Sequence, residues 1–221
     1  MKLQRSGSLA GHIAHELAGR IIRGELKDGQ RIREVKVAEL LGVGRGSVRE
    51  ALLILQRRHL VEILPNRGAR VMSLTAEKVV ALYDLLIMLY TMLANEVADH
   101  YEHEAELIPF SHVFKRLHDC RKRGDLKGFA EASFGALSNA YRFSHNPFLQ
   151  ASLENLQPVV SRTYHMALEQ RRGHMADLLD TLEQLLEAVK MRDKPAISHI
   201  VKAYCEQNST LILTALAHGH S

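Results

Sequence analysis

Arg45 and Arg49 are the side chains whose type and spacing most directly suggest a chemistry. They lie four apart within Gly42-Val43-Gly44-Arg45-Gly46-Ser47-Val48-Arg49-Glu50-Ala51-Leu52. Val48, Leu52 and Leu55 recur at i, i+4 and i+7 and mark the buried stripe of a helix over residues 46–57. The two arginines fall on a different face of that helix and point outward. A guanidinium presents a planar fork of donors that matches a phosphate or the acceptor edge of guanine. Before this segment, residues 34–41 form a short helical pattern with Val37, Ala38, Leu40 and Leu41 as its apolar contacts, and Gly42 ends it. Two helices joined by a tight glycine-containing turn, the second carrying exposed arginine, are the pattern of a helix-turn-helix whose partner is double-stranded DNA.

The elements around this pair extend the pattern. Residues 9–23 form a first helix, with Leu9, Ile13, Leu17 and Ile21 along one face and Gly24 as its stop. After residue 57, Val61-Glu62-Ile63-Leu64 alternates like a strand, Pro65-Asn66-Arg67-Gly68 has turn chemistry, and Ala69-Arg70-Val71 returns as a second strand. Three helices and a basic-tipped hairpin make a winged helix-turn-helix with a two-stranded wing. Its hairpin-tip arginine is placed to reach a phosphate or the minor groove.

Charge supports the same division. The 221 residues carry a net charge of +4, but residues 1–73 hold 14 Lys/Arg against 7 Asp/Glu, a balance of +7. Residues 74–221 hold 15 against 18, a balance of −3. A basic module beside a slightly acidic one implies a polyanionic partner for the first alone. The expected domains are therefore 1–73, the DNA-binding module, and 74–221, a separate all-helical module.

In the second module the pattern is helical throughout: about residues 75–100, 104–123, 126–143, 147–172, 174–192 and 195–216. Pro147 suits a first helical turn, and Pro158 predicts a kink. Residues 79–93 are apolar at 13 of 15 positions, but Asp84 interrupts the run and Asn95-Glu96 follow it, so a mostly buried helix is expected and no membrane contact. The N-terminus has no signal-peptide pattern, and Cys120 and Cys205 have no short spacing, so a cytoplasmic protein with two reduced thiols is expected. The fold class read from these patterns is mainly α, a winged helix-turn-helix followed by an all-α bundle.

The N-terminal third resembles the DNA-binding domain of the GntR family of bacterial transcription regulators. The family run Gly-Val-Ser-Arg-Thr-Pro-Val-Arg-Glu-Ala-Leu is matched from Gly42, except at Gly44, Gly46 and Ser47. Residues 24–32 are similar to the family's Gly-x-Leu-x-Pro-Gly-x-x-Leu, and Pro65-Asn66-Arg67-Gly68 matches its wing tip. The helical remainder looks like the FCD domain of the FadR-type branch, anchored by Leu82-Tyr83-Asp84 and Ser144-x-Asn146-Pro147. The resemblance implies DNA contacts by Arg45, Ser47 and Arg49 in the major groove, by Asn66, Arg67 and Gly68 at the wing, and by Arg33 ahead of the second helix. Gly44 and Gly46 replace the family's hydroxyl residues and remove two potential phosphate contacts, which shifts recognition onto the arginines.

Many FCD domains hold a divalent metal through one Asp and three His. The matching positions here are Ser133, Leu137, Leu182 and Tyr204, or Glu131 and Gly135 for the first two in a shifted register; neither set can form such a site, so no family-type metal and no cofactor are expected. The family's Leu-Tyr-x-x-Arg-x-x-x-Glu on the first bundle helix is also broken, its Arg position falling on Leu86 and its Glu position on Tyr90. The expected effector site is therefore apolar, with Leu86, Leu137 and Leu182 as lining and Tyr90, Tyr141, Arg162 and Tyr204 as polar handles. It would take a small molecule with an acyl or aromatic part, unless the leucines simply fill the core. The resemblance implies a ligand-responsive homodimeric regulator, read as a repressor, on a palindromic operator. Two alternatives are an architectural DNA binder whose bundle only dimerises, and a small-molecule enzyme. Against the enzyme stands the lack of a Ser/His/Asp set, metal motif or cofactor loop.

Overall fold

Ser8 starts the first helix, α1 (Leu9–Ile22), by accepting a hydrogen bond from the Gly11 amide at 3.1 Å. The computed structural model describes residues 8–65, 68–170 and 174–218. It divides into two compact units, Met1–Leu74 with Glu154–Arg162, and Thr75–Leu153 with Thr163–Ser221. The expected division lay at residues 73/74; the structure divides after Leu74 and groups a segment from the later chain with the N-terminal unit.

In unit 1, α1 packs along α3 (Arg45–Arg57), and α2 (Glu34–Leu41) closes the three-helix core. The buried residues of α1, Ile13, Leu17 and Ile21, meet Val48, Ala51, Leu52 and Leu55 of α3 as the periodicity requires. Each fully buried leucine here contributes about 1.5–3 kcal/mol relative to exposure. Gly42 ends α2 in the left-handed region, at φ 64°, which favours glycine. The expected two-stranded wing gains a third strand. Strands β1 (Arg31–Ile32), β2 (Val61–Leu64) and β3 (Gly68–Val71) form an antiparallel sheet in the order β1-β3-β2. Ile32 pairs with Ala69, and Val61 with Val71. A two-residue strand has no periodicity to read, so its pairing was not visible in advance.

Unit 2 is helical among its described residues. Helix α4 (Ala76–His100) buries Val79, Tyr83, Leu86, Leu93 and Val97 and packs along α9 (Lys194–His218). Helices α5 (Ile108–Arg123) and α6 (Leu126–Ala140) pair with each other. With α8 (His174–Lys190) and the later part of α7 (Pro147–Gln170) they enclose a cluster of Leu117, Cys120, Phe129, Tyr164, Leu178 and Leu179. Two expected helices are shorter than their patterns. Residues 104–107 form a 3-10 turn and α5 starts only at Ile108, because Pro109 has no amide to donate and belongs in a first turn. Likewise α6 stops at Ala140, and Tyr141–Phe143 tighten into a 3-10 turn. Asn146 caps α7, its Oδ1 accepting from the amides of Phe148 at 3.0 Å and Leu149 at 3.2 Å, and the helix continues through Pro158. The expected end of this helix, near residue 172, lies outside the described residues.

Candidate DNA-reading face and effector interior

Helix α3 presents its arginines as the spacing requires. Arg45 is its first residue and is exposed, and Arg49 one turn on keeps 70% of its side-chain surface. The structure adds a partner absent from the sequence reading. Arg49 Nε donates to Glu34 Oε1 at 3.2 Å, and its Nη2 donates to Glu34 Oε2 at 3.0 Å. This two-point grip fixes the guanidinium plane while leaving Nη1 and the second Nη2 proton unclaimed by the carboxylate. Those free donors form the end-on fork that a guanine edge accepts. The Glu34 hydrogen bond, and then its charge, also raise the Arg49 pKa further.

Gly44 is the N-cap of α3 and supplies no side-chain bond to its first-turn amides. Those N–H groups, with Ser47 half-buried beside them, are donors aimed along the positive end of a helix and suited to a phosphate. Arg33 occupies the N-cap position of α2, is exposed, and makes no side-chain cap bond. Gly68 opens β3 at φ 80°, with the Ile32 carbonyl so near that an added Cβ would meet it at 2.7 Å. The expected wing residues Asn66 and Arg67 lie outside the described residues.

In unit 2 the tyrosines converge. Tyr83 and Thr163 share a hydrogen bond of 3.1 Å between their hydroxyls, either of which can donate. Burial pushes the phenol of Tyr83 far above its ordinary range, and the neighbouring Cys205 thiol adds to the shift. For Tyr90, burial again comes first, with smaller contributions from Cys205, Tyr83 and Tyr141. For Tyr204, burial is followed by Tyr164, Tyr83, Tyr90 and Cys205. Tyr83 and Tyr90 on α4 and Tyr204 and Cys205 on α9 belong to two helices packed along each other, and burial pushes the Cys205 thiol up to about 12. Tyr90, Tyr141 and Tyr204 are half-buried as residues, although the phenols of Tyr90 and Tyr204 lie deep. Thr163, Tyr83 and Tyr164 were not among the expected site residues. Tyr83 and Tyr90 on one helical row were the visible signal.

The leucines divide. Leu86 has no accessible surface and fills core, whereas Leu137 is half-buried and Leu182 packs against the cluster that includes Tyr164. Arg162 belongs to unit 1 and has other partners than an effector. Its Nη1 donates to the Met72 carbonyl at 2.6 Å, and its Nη2 donates to the Asp28 carboxylate, whose other oxygen accepts from the Leu74 amide at 3.0 Å. Among the described residues, unit 2 contains no fully buried charged side chain. Two acceptors in it, Asn95 Oδ1 and Asn208 Oδ1, are buried without a hydrogen-bond partner. An open groove of about 680 Å³ runs over α5, α8 and α9, lined by Phe114, Leu186, Met191 and Ile200 among others, and touches none of the expected effector residues.

A winged helix with exposed arginines on α3, one of them held by Glu34, followed by an all-helical module, defines a DNA-binding regulator of two modules. Residues 9–71 match the model of the bacterial regulatory proteins of the gntR family, and residues 81–207 match that of the FCD domain. The chain belongs to the GntR family, in the branch that carries an FCD domain. It is 26% identical over 93% of its length to the uncharacterized HTH-type transcriptional regulator YdhC of Bacillus subtilis, covering 91% of that protein. It is 25% identical over 82% of its length to the gluconate operon transcriptional repressor of the same organism, covering 76% of that protein. The solved structure of Escherichia coli McbR/YncC shares the fold, with a TM-score of 0.78 at 21% identity over 94% of this chain and 98% of that one. The family and these relatives are transcriptional regulators and not enzymes, and this chain is a DNA-binding transcriptional regulator.

Proposed function

We propose that the protein is a ligand-responsive repressor that binds a palindromic operator as a homodimer. The observation that carries the DNA half of this reading is the Glu34 grip on Arg49, an exposed cation held in orientation on the helix that enters the major groove. Arg45 and Arg49 would read bases. Arg33, Ser47 and the first-turn amides of α3 would hold phosphates, Gly68 would set the geometry of the wing, and Asn66 and Arg67 would contribute further DNA contacts. Repression is proposed by analogy with the gluconate operon transcriptional repressor to which the chain is similar.

A symmetric operator needs two heads. Ala81, Leu85, Met88 and Met92 step along α4 at i, i+4, i+7 and i+11, all exposed. Such a row on a helix otherwise committed to the core suits a second copy of this chain. Although α4 is long and apolar enough to cross a membrane, its exposed positions also include Glu77, Lys78, Asp84 and Asp99, which disfavours a lipid setting. Met88→Asp is expected to shift the protein toward monomer in sedimentation equilibrium and to weaken operator binding by about tenfold or more, because the second half-site loses its tether. An unchanged dimer would remove α4 from the interface.

The effector half rests on the tyrosine interior. Neutral phenols, the apolar sides of Leu137 and Leu182, and the unpartnered Asn95 and Asn208 oxygens suit a molecule with an apolar acyl or aromatic body and a hydrogen-bond donor. With no buried cation among the described residues of unit 2, a small dicarboxylate would have its charge uncompensated. A thermal-shift panel of aromatic and acyl compounds, followed by operator release measured by anisotropy, tests this. The expected result is a stabilising aromatic or acyl compound that also releases DNA and whose effect is lost in Tyr90→Phe with Tyr204→Phe. A response confined to small hydrophilic dicarboxylates overturns it.

A further inference from the structure

The C-terminal turn of α4 carries a cluster that neither DNA reading nor the tyrosine interior uses. Glu96 and His100, four apart, share one face of the helix, and His145 joins them from the segment between the 3-10 turn Tyr141–Phe143 and α7. One ligand atom from each of the three side chains lies within 4.8 Å of the other two. The two imidazole rings stand 4.3 Å apart at 81° to each other.

The groups are also held in place. His100 Nδ1 lies 2.9 Å from the Glu96 backbone carbonyl and 3.5 Å from Glu96 Oε2; in the tautomer that donates from Nδ1 to that carbonyl, Nε2 is the nitrogen left to ligate. Glu96 Oε2 accepts from the His145 amide at 3.2 Å, tying the carboxylate to the segment that supplies the third side chain. A histidine whose second nitrogen donates to a carbonyl, and a carboxylate that is itself hydrogen-bonded, are the outer contacts that orient metal ligands. Two imidazoles and one carboxylate suit a borderline divalent ion such as Zn²⁺, Co²⁺ or Ni²⁺, whereas Mg²⁺ and Ca²⁺ favour all-oxygen sets.

We propose that Glu96, His100 and His145 form a divalent transition-metal site, with water completing the coordination. These positions are separate from the family-type ligand positions, which fall on Ser133, Leu137, Leu182 and Tyr204, and the proposal is independent of the effector reading. A bound ion would join the end of α4 to the start of α7, residues 49 apart in the chain, and stabilise the bundle by mass action.

The test uses untagged full-length protein, freed of metal by chelator and titrated with Co²⁺ and Zn²⁺ by calorimetry. One equivalent per chain is expected to bind with a dissociation constant on the order of micromolar or tighter. Glu96→Gln and His145→Ala, each verified as folded by circular dichroism, are expected to lose about tenfold or more in affinity. His112→Ala, an exposed histidine on α5, is expected to leave it unchanged. In the wild-type protein, Co²⁺ is expected to broaden the imidazole resonances of His100 and His145 first. Saturable binding that is absent, unchanged in both ligand variants, or accompanied by broadening centred on other histidines overturns the proposal.

Discussion

Arg49→Ala is expected to weaken operator binding by about 30-fold to about 20,000-fold at fixed salt, from roughly 1–3 kcal/mol per base contact taken twice in a symmetric dimer. The loss is read by fluorescence anisotropy on an operator fragment, with sedimentation showing that the dimer persists. Arg49→Lys keeps the charge and so the general attraction to phosphate, but it has no planar fork and is expected to recover little of the specific affinity. Glu34→Ala sharpens the test. As an exposed ion pair the Glu34–Arg49 contact adds little to folding stability, so the variant should unfold almost where the parent does. A clear fall in operator affinity without a fall in stability would then report lost orientation of Arg49. If Arg49→Ala binds its operator as tightly as the parent, α3 is not the reading helix.

Much of this reading face was legible because it rests on local periodicity. Val48, Leu52 and Leu55 mark the buried side of α3, and the two arginines follow from where they are not. Contacts between distant residues were not legible, since no local pattern records them. Glu34 meets Arg49 across the turn, fifteen residues apart, and Tyr83 meets Thr163 across eighty. Arg162 shows the cost of working without such contacts. As an interior cation in a helical pattern it suggested a polar handle for an effector, and its partner Asp28 lies 134 residues away in sequence. The tyrosine interior was half visible. Tyr90, Tyr141 and Tyr204 were expected there, but only the packing of α4 along α9 brings Tyr83 and Cys205 into the same space. The Glu96–His100 spacing could be read on α4, whereas His145 reaches it only because the 3-10 turn redirects the chain after Ala140.

Two glycines on the reading face separate the wing's geometry from its chemistry, and substitution with alanine is expected to act on them with opposite sign. At Gly68 the backbone has φ 80°, and a methyl group would approach the Ile32 carbonyl to 2.7 Å, far inside ordinary contact. The obstacle is backbone of β1, whose pairing with β3 sets the register Ile32 to Ala69, so it cannot move aside without breaking the sheet edge. Gly68→Ala is therefore expected to cost roughly 1–3 kcal/mol in the unfolding of unit 1 and to weaken operator binding with it. Gly46, in the first turn of α3, has open space where the methyl would go. Gly46→Ala removes backbone freedom from the unfolded chain and is expected to stabilise by about 0.4–1 kcal/mol. Thermal and urea unfolding of the two variants, followed by far-UV circular dichroism, measures both signs. Equal stability of Gly68→Ala and the parent would mean that β1 does not pin the wing.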